Sequence, residues 1–294
     1  MSRVKRNWKD YNRSLINRGS LTLWIDEEIQ SEWMSKGKLG RPKFRDHVIK
    51  IGLMLRAVYR LSYRSLQGFF SSILKLMKLT HRVPHYSLFS KRAGEIELPK
   101  LSHRKPLDLV IDSSGLKIYG EGEWKVKVHG ASHRRKWIKA HIALDPSSQE
   151  VMAIEVTENS IHDAKVLPHL VESSPKSVKR VLADGAYSGR SCRSFLYEKG
   201  IEALIPPALN SRLGSGIEYE AKNDALRIIK GLGGDDIAKS LWKRFTGYYK
   251  RSLVETAFSR LKRLFGDRLQ NRKMFNQEVE AYVRCLALNR MRAA

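Results

Sequence analysis

Two strand-like runs that each end in an aspartate constrain this chain more than any other feature. LDLVID closes on Asp112 and VKRVLAD closes on Asp184. Continuous apolar runs of this length read as strands, and from Leu107 onward this extended periodicity replaces a helical one. LKIYG follows the first run after a Ser-Ser-Gly turn. WIKAHIALD and EVMAIEVTE flank the turn PSSQ and predict a hairpin. IHDAKVLPHLVES and SGRSCRSFLYEKG read as helices, and IEALIPP reads as a further strand. Residues from about 208 to 245 are polar and glycine-containing, an excursion without an assigned role, and a helix through YYKRSLVETAFSRLK follows.

The order strand, strand, strand, helix, strand, helix, strand, helix is that of the ribonuclease-H-like α/β fold, a mixed sheet flanked by helices. Its first and fourth strands lie side by side, so Asp112 and Asp184 are expected at adjacent positions, with Glu255 on a helix beside them. On that helix Tyr248, Arg251, Glu255 and Lys262 follow steps of i, i+3, i+7 and i+14, which confines them to an arc of about 60°. Leu253, Val254, Ala257, Phe258, Leu261, Leu264 and Phe265 form a separate apolar face. The tetrad therefore sits on the rim between core and solvent, where packing can hold a carboxylate rigidly within reach of a metal or substrate. An amphipathic helix with ordinary surface charges, including an Arg251/Glu255 pair, fits the same spacing.

Charge narrows the class of partner. Lys and Arg number 55 against 30 Asp and Glu, a formal charge of +25 with pI near 10.1, and such a chain is drawn to polyanions. With 42% hydrophobic residues over 294 positions it can still bury a substantial core. The N-terminal MSRVKRNWKDYNRS has no apolar stretch after it, and VIKIGLML is interrupted by Lys50 and too short to span a bilayer. Cys192 and Cys285 lie far apart without a CxxC, so neither a disulfide framework nor a zinc ribbon is expected and a reducing cytoplasm is the natural setting.

The first hundred residues read as helices over FRDHVIKIGLMLRAVYR, SYRSLQGFFSSILKLMKL and SLFSKRAGEI. They suggest a compact helix-turn-helix-like DNA-binding region over 1–100, whose last helix offers Ser90, Lys91 and Arg92 to the major groove. Basic helices are also common outside DNA binding. ELPKLSHRKP is the candidate linker to a catalytic domain over 101–294.

Three carboxylates suit a particular chemistry. Magnesium prefers oxygen ligands, and in-line cutting of a phosphodiester is helped by two ions about 4 Å apart that stabilise the entering and leaving oxygens. Each aspartate alone reads equally as a strand-end turn residue.

Together these residues resemble the DDE transposases of bacterial insertion sequences, specifically the IS-five family. Tyr248, Arg251, Glu255 and Lys262 meet the family's C-terminal signature, and VIDSSGLKIYGEGEWK and LADGAYS match its two aspartate motifs. The resemblance implies that Asp112, Asp184 and Glu255 bind metal, Mg2+ with Mn2+ able to substitute. It implies further that Arg251 and Lys262 contact DNA phosphate and that Tyr248 shapes the site. The implied substrate is DNA, both the element's terminal inverted repeats and the target. The implied reaction frees 3′-hydroxyl ends and joins them to the target, in a homodimer or larger synaptic assembly associated with the nucleoid.

Other features carry second readings. Trp124 reads as a core or turn tryptophan, or as a stacking surface for an extruded base. His129 and His133 have i, i+4 spacing, but Gly130 and strand-like surroundings do not support a zinc site. HRRKW, with Arg134 and Arg135, reads as a solvated basic edge or as a DNA contact, and contact is the favoured expectation in a chain this basic. Asp145 and Asp163 read as turn and helix-cap residues, and Asp267 follows the tetrad helix after Gly266. A ribonuclease-H-like nuclease selective for structure, or a non-catalytic DNA-binding derivative of a transposase, would use the same features differently.

Overall fold

A computed structural model of the protein describes residues 7–34, 43–96, 107–118, 137–175, 177–208 and 210–293. The candidate linker at 97–106, together with Trp124, His129, His133, Arg134 and Arg135, lies outside these described residues. The chain forms two compact units, Met1–Leu98 with Gln270–Ala294, and Pro99–Leu269. The last helix thus belongs with the N-terminal helices.

In the first unit α1 spans Trp8–Asn17, α2 Glu27–Ser31, α3 Asp46–Val58, α4 Tyr63–Leu76 and α5 Tyr86–Arg92. Helix α3 is buried almost throughout, from Val48 to Arg56. Gly52 on it is required by packing, since a Cβ there would stand 2.2 Å from the Phe89 ring. Ser62 starts α4 by accepting a hydrogen bond from the Ser65 amide, an N-cap that satisfies a helix-end donor. Trp33 stacks on His81 with ring centroids 4.8 Å apart and donates its indole N–H to the Arg82 carbonyl at 2.8 Å. The connection between α4 and α5 covers residues 77–85, longer than the three- to four-residue turn of a helix-turn-helix. The C-terminal helix, Met274–Ala293, packs on α3.

In the second unit β1 spans Leu107–Lys117, β2 Trp137–Leu144, β3 Val151–Glu158, β4 Val178–Leu182 and β5 Glu202–Leu204. Among the described residues these strands form one sheet in the order β3-β2-β1-β4-β5. The expected hairpin is present, with β2 and β3 antiparallel, and β1 runs antiparallel to β2 but parallel to β4. The expected Ser-Ser-Gly turn is absent: Ser113, Ser114 and Gly115 continue β1, each paired with a residue of β2. A long partner strand overrides the turn propensity of those small residues.

Side chains alternate along β1 and assign each face its cover. Leu107, Leu109 and Ile111 join a buried cluster with Leu167, Leu170, Cys192 and Leu196, so α6, Leu167–Glu172, and α7, Arg190–Glu198, cover one face. Deleting a side chain from such a cluster costs about 2 to 5 kcal/mol. On the opposite parity Asp108 and Asp112 meet Lys250 and Arg251, just before the helix α10, Ser252–Phe265, and Ser114 meets Lys262 on it. A mixed five-stranded sheet flanked by helices fits the ribonuclease-H-like core. Residues 208 to 245, without assigned structure in the sequence reading, contain α8, Glu220–Gly231, and α9, Asp236–Phe245.

The helix expected to carry all four tetrad residues is interrupted. Tyr248–Arg251 forms a 3-10 turn, entered through Gly247 at φ 77°, and α10 begins only at Ser252. A left-handed entry residue favours glycine and allows the abrupt change of direction after α9.

Candidate active site

Parallel pairing of β1 with β4 brings the two aspartates together. Val110 pairs with Leu182, and Asp112 and Asp184 lie two residues further along the same adjacent strands. Asp112 is held inside β1 and accepts a hydrogen bond from the Ser113 amide at 2.9 Å. Asp184 lies just past β4, where its carboxylate caps the following 3-10 turn by accepting from the Ala186 amide at 2.8 Å. Glu255 is exposed in the first turn of α10, a position where a negative charge meets the positive end of the helix dipole.

The other three tetrad residues each grip the protein. Tyr248 is buried and donates its hydroxyl hydrogen bond at 3.1 Å to the carbonyl of Ala183, the residue before Asp184. Lys262 donates to the Ser114 hydroxyl at 2.7 Å, two residues beyond Asp112. Arg251 bridges the carboxylates, with one guanidinium nitrogen 3.0 Å from Asp112 Oδ2 and the other ion-paired with Glu255. Lys250, next to Arg251, lies 3.6 Å from Asp108, which also holds Arg180 at 2.6 Å. A turn and one helix are thereby tied to both aspartate-bearing strands.

Electrostatics mark the same place. Burial pushes the Asp112 carboxyl above its ordinary range, opposed by the Ser113 amide and Arg251 and reinforced by the charges of Asp184 and Glu255. Asp112 therefore senses the charge of both other carboxylates. Tyr187, fully buried, is pushed up by desolvation and by Asp163, Asp112 and Asp184, and its hydroxyl has no hydrogen-bond partner among the described residues. Three carboxylates form an all-oxygen donor set, which suits a hard divalent cation. Among the described residues no three His, Cys, Asp or Glu side chains converge closely enough to hold an ion. Between Asp112 and Glu255 the intervening group is the Arg251 guanidinium.

Behind Asp112, on the other face of β1, lies a network that the sequence reading missed. Ser113 donates its hydroxyl to Asp163 at 2.8 Å, and Lys139 donates to the same carboxylate at 2.9 Å. Asp163 was expected to cap a helix, but His162 caps that turn instead. Burial raises the Asp163 pKa, yet the hydrogen bonds from Lys139 and Ser113 outweigh it and the net direction is down. The signal available in sequence was parity alone, because Ser113 and Lys139 point to the same sheet face.

The remaining candidates are placed differently. In α5, Ser90 and Lys91 are exposed. Arg92 donates to the Phe44 carbonyl and pairs with Asp46, which makes it a tie within the helical unit. Asp145 is buried in a turn and accepts from Ser147 and Ser148. Asp267 pairs with Lys117 at 2.7 Å. No helix among the described residues is long and apolar enough to cross a membrane.

Comparison with known families agrees with this arrangement over most of the chain. A family profile described as a transposase DDE domain matches residues 103–290, and a second of the same description matches residues 16–121. The first takes in both aspartates, the tetrad and the sheet that unites them, and on this ground the chain belongs to the DDE transposases.

Proposed function

We propose that the protein is an insertion-sequence transposase of the IS-five type that cuts DNA at its element's ends and joins the freed 3′-hydroxyls to target DNA. The observation that carries this reading is the Arg251 bridge between Asp112 and Glu255, on a strand whose parallel neighbour β4 runs on to Asp184. Asp112, Asp184 and Glu255 would hold Mg2+, or Mn2+ in its place. When bound, the divalent ion supplies stabilisation of the entering and leaving oxygens of an in-line displacement at phosphorus.

The chain's own residues do the positioning. Tyr248 fixes the Ala183 carbonyl and with it the end of β4 that presents Asp184. Lys262 and the Ser113 amide hold β1 around Asp112. Arg251, paired with Asp112 and Glu255, and Lys262, bonded to Ser114 two residues beyond Asp112, would meet a scissile phosphate there, as Lys and Arg do in phosphoryl transfer. Water is the nucleophile of the first step and the 3′-hydroxyl that of the second, so no covalent protein intermediate is needed.

The helical unit would bind the terminal inverted repeats. From His47 to Gly94 it contains no Asp or Glu but nine Lys and Arg, a one-sided charge suited to phosphate contact. Ser90, Lys91, Arg134 and Arg135 remain proposed DNA contacts, while Arg92 would have to leave Asp46 to become one. Synapsis of two ends calls for a dimer or larger assembly, and the setting would be the bacterial cytoplasm at the nucleoid.

Labelled DNA carrying the element's ends tests the reading directly. Magnesium-dependent release of a 3′-hydroxyl end by the wild type, lost in Asp112→Asn with DNA binding retained, supports it. Equal binding with no cutting by either protein would replace it with the non-catalytic alternative. Cutting governed by DNA structure, without need of the element's ends, would favour a nuclease of the same fold.

A further inference from the structure

We infer that Arg251 is a stand-in cation: without metal its guanidinium neutralises Asp112 and Glu255, and a divalent ion must displace it to bind. The inference rests on the proposed metal-binding role of those carboxylates and adds a function for Arg251 before DNA arrives.

The geometry is specific. One guanidinium nitrogen reaches Asp112 Oδ2 at 3.0 Å and another pairs with Glu255, so a single planar group spans two carboxylates carried by different elements. Arg251 sits in the last position of the 3-10 turn, directly before α10, which puts Glu255 one helical turn further on. Only 21% of its side chain is exposed, against 54% for Glu255. The guanidinium is therefore enclosed at the site, and the glutamate reaches in to it from the surface. Asp184 adds to the negative field felt by Arg251. Asp112 and Glu255 facing each other without a cation would repel, and a fixed guanidinium fork relieves this with directional bonds that a point charge cannot reproduce.

Occupancy is then exclusive. Asp112 Oδ2 and Glu255 Oε1, the two oxygens that Arg251 holds, are closed to a divalent ion while the guanidinium is in place, so an ion that takes them frees Arg251. The freed guanidinium lies beside the site where a phosphate would enter, and loading with metal and exposure of a phosphate-binding cation become one event. Two ligands competing for one set of oxygens weaken each other reciprocally.

Mn2+ binding to the full-length, DNA-free protein, followed by electron paramagnetic resonance of the unbound ion, tests this. The proteins are wild type, Arg251→Gln, Arg251→Lys and Asp112→Asn, each checked for folding by circular dichroism. Arg251→Gln is expected to bind Mn2+ about five-fold or more tightly than wild type. Arg251→Lys is expected to follow Arg251→Gln, because one ammonium cannot span both carboxylates. Unchanged or weaker binding in Arg251→Gln overturns the inference. So does wild-type affinity in Arg251→Lys, which would reduce the effect to net charge. If Asp112→Asn binds as the wild type does, the carboxylate reading of the site fails and the inference falls with it; an Asp112-dependent site with no effect of Arg251 removes the inference alone.

Discussion

His141 makes the sheet acid-sensitive in a defined window. It lies in the middle of β2, paired with Ser113 of β1 and Glu155 of β3, and is fully buried. Its Nε2 meets the Thr157 hydroxyl at 2.9 Å, while Nδ1 has no partner among the described residues. Burial pulls its pKa from 6.5 down to about 4; Asp163 opposes the fall and Lys139 assists it. Between those pH values the unfolded chain carries the proton and the folded chain does not, so stability declines as pH drops from 6.5 towards 4. A fall of this size corresponds to at most about 3 kcal/mol, a large part of the roughly 5 to 15 kcal/mol that holds a domain together. Urea denaturation at a series of pH values across that window, on wild type and His141→Gln, reads the effect. The wild type is expected to lose about 2 to 3 kcal/mol across it, and the variant markedly less. Parallel loss in both proteins, or an imidazole that titrates near 6.5 in the folded state by NMR, would refute the reasoning.

The same physics gives three further expectations. Glu280 is buried, accepts from the Gln270 and Asn271 amides, and pairs with the buried Arg284 at 2.7 Å; Arg284 is also within the field of Arg56 and Arg60. Glu280→Ala should cost about 3 to 5 kcal/mol in a chemical denaturation series, and Glu280→Ala with Arg284→Met should cost less than the single change. Tyr248→Phe removes the bond to the Ala183 carbonyl and should cost about 0.5 to 1.5 kcal/mol of stability, while DNA cleavage falls in kcat with substrate affinity kept. Arg92→Ala should lower the thermal midpoint more than it weakens DNA binding in a salt-matched titration, because Arg92 is tied to Phe44 and Asp46.

What could be read in the sequence, and what could not, divides along physical lines. The order of strands and helices was enough to expect the aspartates on neighbouring strands, and β1 does pair with β4, with Asp112 inside β1 and Asp184 just past the end of β4. Helical spacing picked out Val254, Ala257, Phe258 and Leu261, all buried, but it put the whole tetrad on the rim, whereas Tyr248 is buried, and it could not show that Tyr248 and Arg251 sit on a 3-10 turn. That depends on Gly247 and the exit from α9. Leu264, assigned to the apolar face, is exposed at the end of α10. The Ser113 to Gly115 stretch misled for the reason small residues often do, since local turn preference is weaker than pairing with a full partner strand. The network through Asp163 and Lys139 and the ties of Arg92 link residues 24 to 50 positions apart, and beyond the shared parity of Ser113 and Lys139 a single sequence carries no signal for such contacts. The grouping of the C-terminal helix with the N-terminal unit belongs to the same class of tertiary facts.

The central claim is that these three carboxylates run DNA strand transfer, and joining of labelled element-end DNA to a target plasmid in magnesium tests it most directly. Wild type, Asp112→Asn and Glu255→Gln are compared at equal DNA occupancy. The account predicts joined product from the wild type alone, abolished by chelation of the metal. Joining that survives either substitution, or that proceeds without a divalent ion, would contradict it.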